Sequence, residues 1–267
     1  MKRWLTFSLV LVSFMALSQG SLLPSLITTV PNADSELIQT KMDGFISAQK
    51  EKKQLAKNEL KFLKSMVNES HKKFLKSYKS YSQFNELFES GHYDCLSGTA
   101  FFSVLLEELQ FQYKIIETNY HIFLVIETKQ GQVLLETTDR LFGFKTDPQE
   151  IEKSLSHYKE NLLASSSSKN TNYYHYRTNL FHEVNNLQLG GLLYFNQAVI
   201  AYNNQEWATC VDRLEKAKVI YNNPRVEELT EILADSIALS KLHEKVKQQL
   251  LIHLSKYVTD LPILAVR

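Results

Sequence analysis

Cys95, His121, Glu136 and Asp139 place a thiol, an imidazole and carboxylates on three successive elements of the chain. These are the parts of a thiol-nucleophile site, in which sulfur attacks, the ring moves the proton and an acid orients the ring. The thiolate is the reactive form, and the amides at a helix N-terminus or a nearby imidazolium favour it. Cys95 falls in the first helical turn of the segment from Gly91 to Ala100, directly after a capping Asp94. Asp94 opposes the thiolate unless its charge is used in capping. Taken alone, Cys95 fits an apolar core position as well as a nucleophile, and His121 fits a satisfied strand histidine. No second histidine stands at metal-ligand spacing from His121, and His92 and Cys95 do not close a metal site, so neither metal nor cofactor is expected.

The elements that must position these groups are legible from periodicity. Phe101, Phe102, Val104, Leu105, Leu106 and Leu109 make Cys95 to Leu109 an apolar, central helix. Tyr113 to Ile116, Tyr120 to Thr128 and Gln132 to Thr138 read as strands, the last two joined at Lys129-Gln130-Gly131. Both faces of this hairpin are apolar, so both need cover. A two-residue turn at Lys129-Gln130 sets His121 opposite Thr138 with Glu136 diagonal on the same face. A turn at Gln130-Gly131 sets His121 opposite Arg140 and keeps Glu136 on that face. A three-residue turn reverses the parity and brings Asp139 opposite His121. Turn length therefore selects the acid, and both stay open at this level.

The rest of the chain bounds the setting. Its 267 residues, 44% apolar, suffice for one or two domains, and a net charge of +1 gives no sign of a nucleic-acid partner. Lys2 and Arg3, the apolar run Trp4 to Leu17 and Ala16-Leu17-Ser18 predict a signal peptide over 1–18, hence an exported (periplasmic or extracellular) protein with no transmembrane segment after its removal. Residues 19–34 read as a linker. Residues 35–163 hold a helical lead-in, continuous from Ser35 to about Ser82, and the core. Its lysines, Lys50 to Lys79, are read as a solvated face. A short helix follows Pro148. Ser165 to Asn172 marks an exposed connection within a linker at 164–186, and 187–267 is helical. Cys95 and Cys210 fall in different segments, so no disulfide is expected.

Two resemblances follow. Ala198, Tyr202, Trp207, Cys210, Leu214 and Ala217, with Pro224 after them, resemble a tetratricopeptide helix pair. There Cys210 takes the place of a small residue packed between helices. Cys95 at a helix start, Ala100, and Leu105 to Phe111 resemble the nucleophile helix of the transglutaminase-like (papain-like) superfamily. His121 to Val125 resembles its histidine strand, and Leu134 to Thr138 its acid strand. The resemblance covers roughly 60–145. It implies an α+β fold with a central helix packed on an antiparallel sheet. It also implies Cys95 as nucleophile, His121 as general base and acid, and Glu136 as the residue orienting the ring. Three departures stand out: Glu136 where aspartate is usual, Ile122 where an aromatic is usual, and Gln110 where glycine is usual. The activity implied is an exported cysteine hydrolase, a peptidase or amidase, that attacks a protein or peptide substrate and passes through a thioester. The alternative is a non-catalytic interaction protein whose helical segment 187–267 binds a partner protein.

Overall fold

The computed structural model describes residues 21–164 and 180–256. The signal expected at 1–18, the connection at Ser165 to Asn172 and the chain from 257 onward lie outside the described residues. The fold is α+β, built of helices around a five-stranded antiparallel sheet.

The lead-in is helical but not continuous. Helix α1 (Leu22–Ile27) lies within the segment expected to be linker. Its apolar residues Leu22, Leu23, Leu26 and Ile27 are all buried, and Pro24 is tolerated because the first turn needs no donor there. Helix α2 (Ser35–Leu55) is capped by Asp34, whose carboxylate accepts from the Leu37 amide at 2.9 Å. Helix α3 (Glu59–Lys73) starts afresh because Asn58 turns extended and its side chain accepts from the Lys61 amide at 2.8 Å. A short side chain that bonds its own backbone competes with the helix, which explains the break. Strand β1 (Ser77–Tyr78), helix α4 (Glu86–Glu89) and strand β2 (His92–Tyr93) follow, β1 and β2 pairing in parallel.

Helix α5 (Cys95–Glu108) is the centre of the molecule. Phe101, Phe102, Leu105 and Leu106 have no exposed surface. A helix apolar on every side is buried on every side, and each such side chain contributes about 1.5–3 kcal/mol through burial. One face of the sheet packs against it.

The sheet runs β6–β5–β4–β3–β7, all pairs antiparallel, with β3 (Tyr113–Thr118), β4 (Ile122–Thr128), β5 (Gly131–Leu135), β6 (Phe144–Lys145) and β7 (Phe181–Val184). Thr128 pairs with Gly131 and Leu124 with Leu135, so the hairpin turn is Lys129-Gln130. Glu59 fixes that turn, its carboxylate accepting from the Lys129 amide at 2.8 Å. Ile122, Leu124, Ile126, Val133 and Leu135 face the main core with α5, while Phe123, Val125 and Leu134 face the other way. Helix α6 (Pro148–Ala164) covers that second face through Ile151, Leu155 and Tyr158. Strand β7 lies inside the expected linker at 164–186. Its four residues carry too little periodicity to register alone; pairing with β3 supplies what the sequence pattern lacks.

The last helices are α7 (Asn186–Asn203), α8 (Trp207–Ile220), α9 (Pro224–Leu239) and α10 (Glu244–Ser255). Their buried side chains belong to the same hydrophobic cluster as α5 and the sheet. Cys210 is fully buried between α7 and α8, its thiol donating to the Ala198 carbonyl at 3.2 Å.

Candidate active site

Asp94 opens α5. Its carboxylate accepts from the Ser97 amide and hydroxyl, each at 2.8 Å, while the Ser97 hydroxyl accepts from the Asp94 amide at 2.9 Å. This reciprocal cap stabilises the first turn, where Cys95 sits. The Tyr81 amide also points at the Asp94 carboxylate, from a residue held at φ +58°. A tyrosine in the left-handed region is uncommon, and this contact helps hold it there.

Cys95 is half-buried. The Ile122 amide faces its sulfur, as do the amides of Leu96 and of Cys95 itself, and all three favour the thiolate. They are outweighed. Loss of water, reinforced by the neighbouring Asp94 charge, pushes the thiol from its ordinary 9.0 up to about 12. The resting group is therefore a neutral thiol at physiological pH.

His121 stands just before β4. Its Nε2 lies 3.0 Å from Glu136 Oε1, with both side chains less than a fifth exposed. The carboxylate approaches off the N–H direction, so this is a close contact and not an in-line hydrogen bond. Glu136 follows the last residue of β5, on the His121 face of the sheet. Its other oxygen, Oε2, accepts from the Tyr158 hydroxyl at 2.6 Å. The His121 ring beside Glu136 holds its carboxyl down at about 2, against the opposing effect of burial and with help from Tyr158 and Lys145. Burial and the Glu136 charge push the Tyr158 hydroxyl up. The Tyr158 ring also stacks on His121, centroids 5.6 Å apart, and on Phe123 at 4.8 Å.

Asp139 is engaged elsewhere. Its carboxylate accepts from the amides of Leu141 and Phe142 at 3.1 and 2.8 Å, closing the turn after β5. Gly143 ends that turn so close to the Glu136 carbonyl that a Cβ would come within 2.1 Å of it. Glu136 contacts the ring, and Asp139 shapes the turn.

The two halves of the site meet at Gly98. A Cβ there would lie 2.7 Å from the Thr137 hydroxyl, so glycine lets the segment after β5 touch the first turn of α5. Thr137 donates to the Cys95 carbonyl at 3.5 Å, and Thr99 of α5 donates to the Ile122 carbonyl at 3.3 Å. Cys95 and His121 line one cavity of about 230 Å³. Tyr78, Tyr81 and Tyr120 stand exposed at its rim. Asn196 of α7 and Arg225 of α9 complete its wall.

Sequence reasoning missed Tyr158, the Ile122 amide and the contributions of α7 and α9. No local spacing relates these residues to Cys95; only the tertiary pairing does. Among the described residues, no group of three or more His, Cys, Asp or Glu side chains is placed to hold a metal, and no helix is long and apolar enough to cross a membrane. No family model matches the chain, and neither a curated protein nor a solved structure does.

Proposed function

We propose that this protein is an exported, transglutaminase-like cysteine hydrolase that cleaves an amide or peptide bond through a Cys95 thioester. The observation that carries the reading is the His121–Glu136 pair, held by Tyr158 and placed beside the cavity that Cys95 lines. In this reading Nε2 faces Glu136 and Nδ1 is the ring nitrogen left to take the thiol proton. Sulfur then attacks the carbonyl carbon, and the oxyanion forms near the Cys95 backbone amide at the α5 N-terminus. The C–N bond breaks as His121 returns the proton to the departing amine. Water attacks the thioester, again giving its proton to His121. The acid leaves and the thiol is restored with its proton. The central helix, the antiparallel sheet and the order of the three residues support a papain-like core rearranged as in the transglutaminase-like superfamily.

The raised thiol favours a second reading, a non-catalytic interaction protein that retains the fold and binds a partner through 187–267. One experiment separates them. A thiol-directed amide-mimic probe should label the wild type and leave Cys95→Ala unlabelled. Equal labelling of both proteins ends the hydrolase reading.

A further inference from the structure

Beyond the Cys95, His121 and Glu136 group lies a second polar cluster, buried where the sheet meets α8 and α9. Glu117, at the end of β3, and Arg225, at the start of α9, are both almost wholly buried. Arg225 Nη1 donates to Glu117 Oε1 at 2.5 Å. Tyr221 donates to Glu117 Oε2 at 2.5 Å, and His182 Nε2 lies 3.2 Å from the same oxygen. The other Arg225 nitrogen, Nη2, reaches past the carboxylate to main chain. It donates to the Asn119 carbonyl at 2.8 Å and to the Thr118 carbonyl at 3.4 Å.

Those carbonyls belong to the turn that delivers His121. The Thr118 amide donates to the His121 carbonyl at 2.8 Å, and the His121 amide donates to the Thr118 hydroxyl at 3.1 Å. The Asn119 side chain accepts from the Leu180 amide at 2.5 Å. The turn is therefore gripped from three sides: by its own Thr118, by the chain entering β7, and by Arg225.

A buried ion pair is a poor way to stabilise a fold. Desolvating both charges offsets most of their attraction, and an apolar pair of like volume often does as well or better. What an apolar pair lacks is direction. A guanidinium offers five donors in a fixed fork and so holds one carboxylate and two carbonyls in a set geometry. We infer that Arg225 is a positioning residue for His121: with Glu117 and Tyr221 it locks the turn from Thr118 to His121 so that the ring meets Glu136. The C-terminal helices are then part of the reactive unit and not an appended module. The predicted effect on rate rests on the hydrolase reading; the effect on the position of the ring does not.

The test uses the full chain and Arg225→Lys, which keeps a positive charge opposite Glu117 but cannot span the carboxylate and both carbonyls. If that variant does not fold, the double variant Glu117→Met/Arg225→Leu removes both charges and leaves neither one unpaired. Thermal unfolding by circular dichroism establishes that the variant is folded. Cys95 labelling by the amide-mimic probe should then slow roughly 10- to 100-fold, the scale for a misplaced catalytic group. In parallel, ¹³C NMR follows titration of the Glu136 carboxyl, which should rise from about 2 as His121 withdraws, with Tyr158 and Lys145 still holding part of the depression. A folded variant with wild-type Glu136 titration overturns the inference. Wild-type titration of Glu136 in the variant and an unlabelled wild type are separate outcomes: the first removes the lock, the second removes the hydrolase reading.

Discussion

The two thiols of this chain have nearly the same acidity and opposite surroundings. Both Cys95 and Cys210 are pushed up to about 12, and in both loss of water is the largest cause. Cys210 is sealed between two helices, with a backbone carbonyl as the acceptor of its proton. Cys95 lines a cavity with His121, meets the Ile122 amide and stands beside a carboxylate. Acidity alone therefore does not mark a nucleophile. The distinguishing features are donors aimed at the sulfur and an imidazole lining the same cavity. A buried thiol with neither remains a packing residue.

The largest effect that sharpens this contrast is expected from Asp94→Asn. The amide oxygen still accepts from Ser97, so the cap survives, but the charge beside Cys95 is gone. The Cys95 thiol then falls below about 12, while desolvation keeps it above the ordinary 9.0. At fixed mildly alkaline pH its alkylation by iodoacetamide should quicken by roughly 3- to 10-fold, following the thiolate fraction. Mass spectrometry of both cysteines reads the comparison directly. Cys210, whose thiol is raised by burial alone, should not change. An unaltered Cys95 rate would mean that Asp94 already carries its proton beside the thiol.

A smaller effect separates the pair by stability. Cys210→Ala removes a fully buried sulfur from a packed junction, and about 1–2 kcal/mol of stability should be lost through the lost contacts and residual void. Cys95→Ala removes a half-buried atom that borders a cavity and was costly to desolvate, so urea denaturation should find it within about 0.5 kcal/mol of wild type. Equal losses at the two sites would erase the distinction between packing thiol and cavity thiol.

How much of this was legible in the sequence follows the range of the interactions. The α5 helix, its Asp94 cap and the β4–β5 hairpin are local, and periodicity placed each within a few residues. Parity narrowed the orienting acid to two candidates, and the turn at Lys129-Gln130 is one of the two two-residue registers in which Glu136 shares the His121 face. Long-range features left no trace in local pattern. β7 is four residues long and pairs across some sixty positions with β3. Tyr158 sits on a helix whose spacing predicts only a covering role. Glu117 and Arg225 are each unremarkable in sequence, since a charged residue in an alternating strand or at a helix start is normally solvated. The boundary expected near 164–186 reflected composition. Among the described residues, one hydrophobic cluster takes side chains from α1 to α5 and from α7 to α10.

The smallest predicted effect tests the far end of α5, where Gln110 stands in place of the glycine that the proposed transglutaminase-like reading would expect. Gln110 has φ +56°, in the left-handed region, so the backbone there has the conformation that glycine adopts without strain. Its amide donates to the Glu107 carbonyl, and the Phe111 amide donates to the Leu106 carbonyl, each at 2.9 Å. The geometry that ends the helix is thus present without the residue that favours it. Gln110→Gly relieves the steric cost of a Cβ in that region but adds freedom to the unfolded chain. The first effect is the larger, so the variant should be more stable by about 0.5–1 kcal/mol in urea denaturation, with Cys95 labelling unchanged. A loss of stability would mean that the Gln110 side chain makes contacts worth more than the strain. A change in labelling would mean that the two ends of α5 are coupled, and the contrast between a cavity-lining first turn and a structural remainder would then no longer hold.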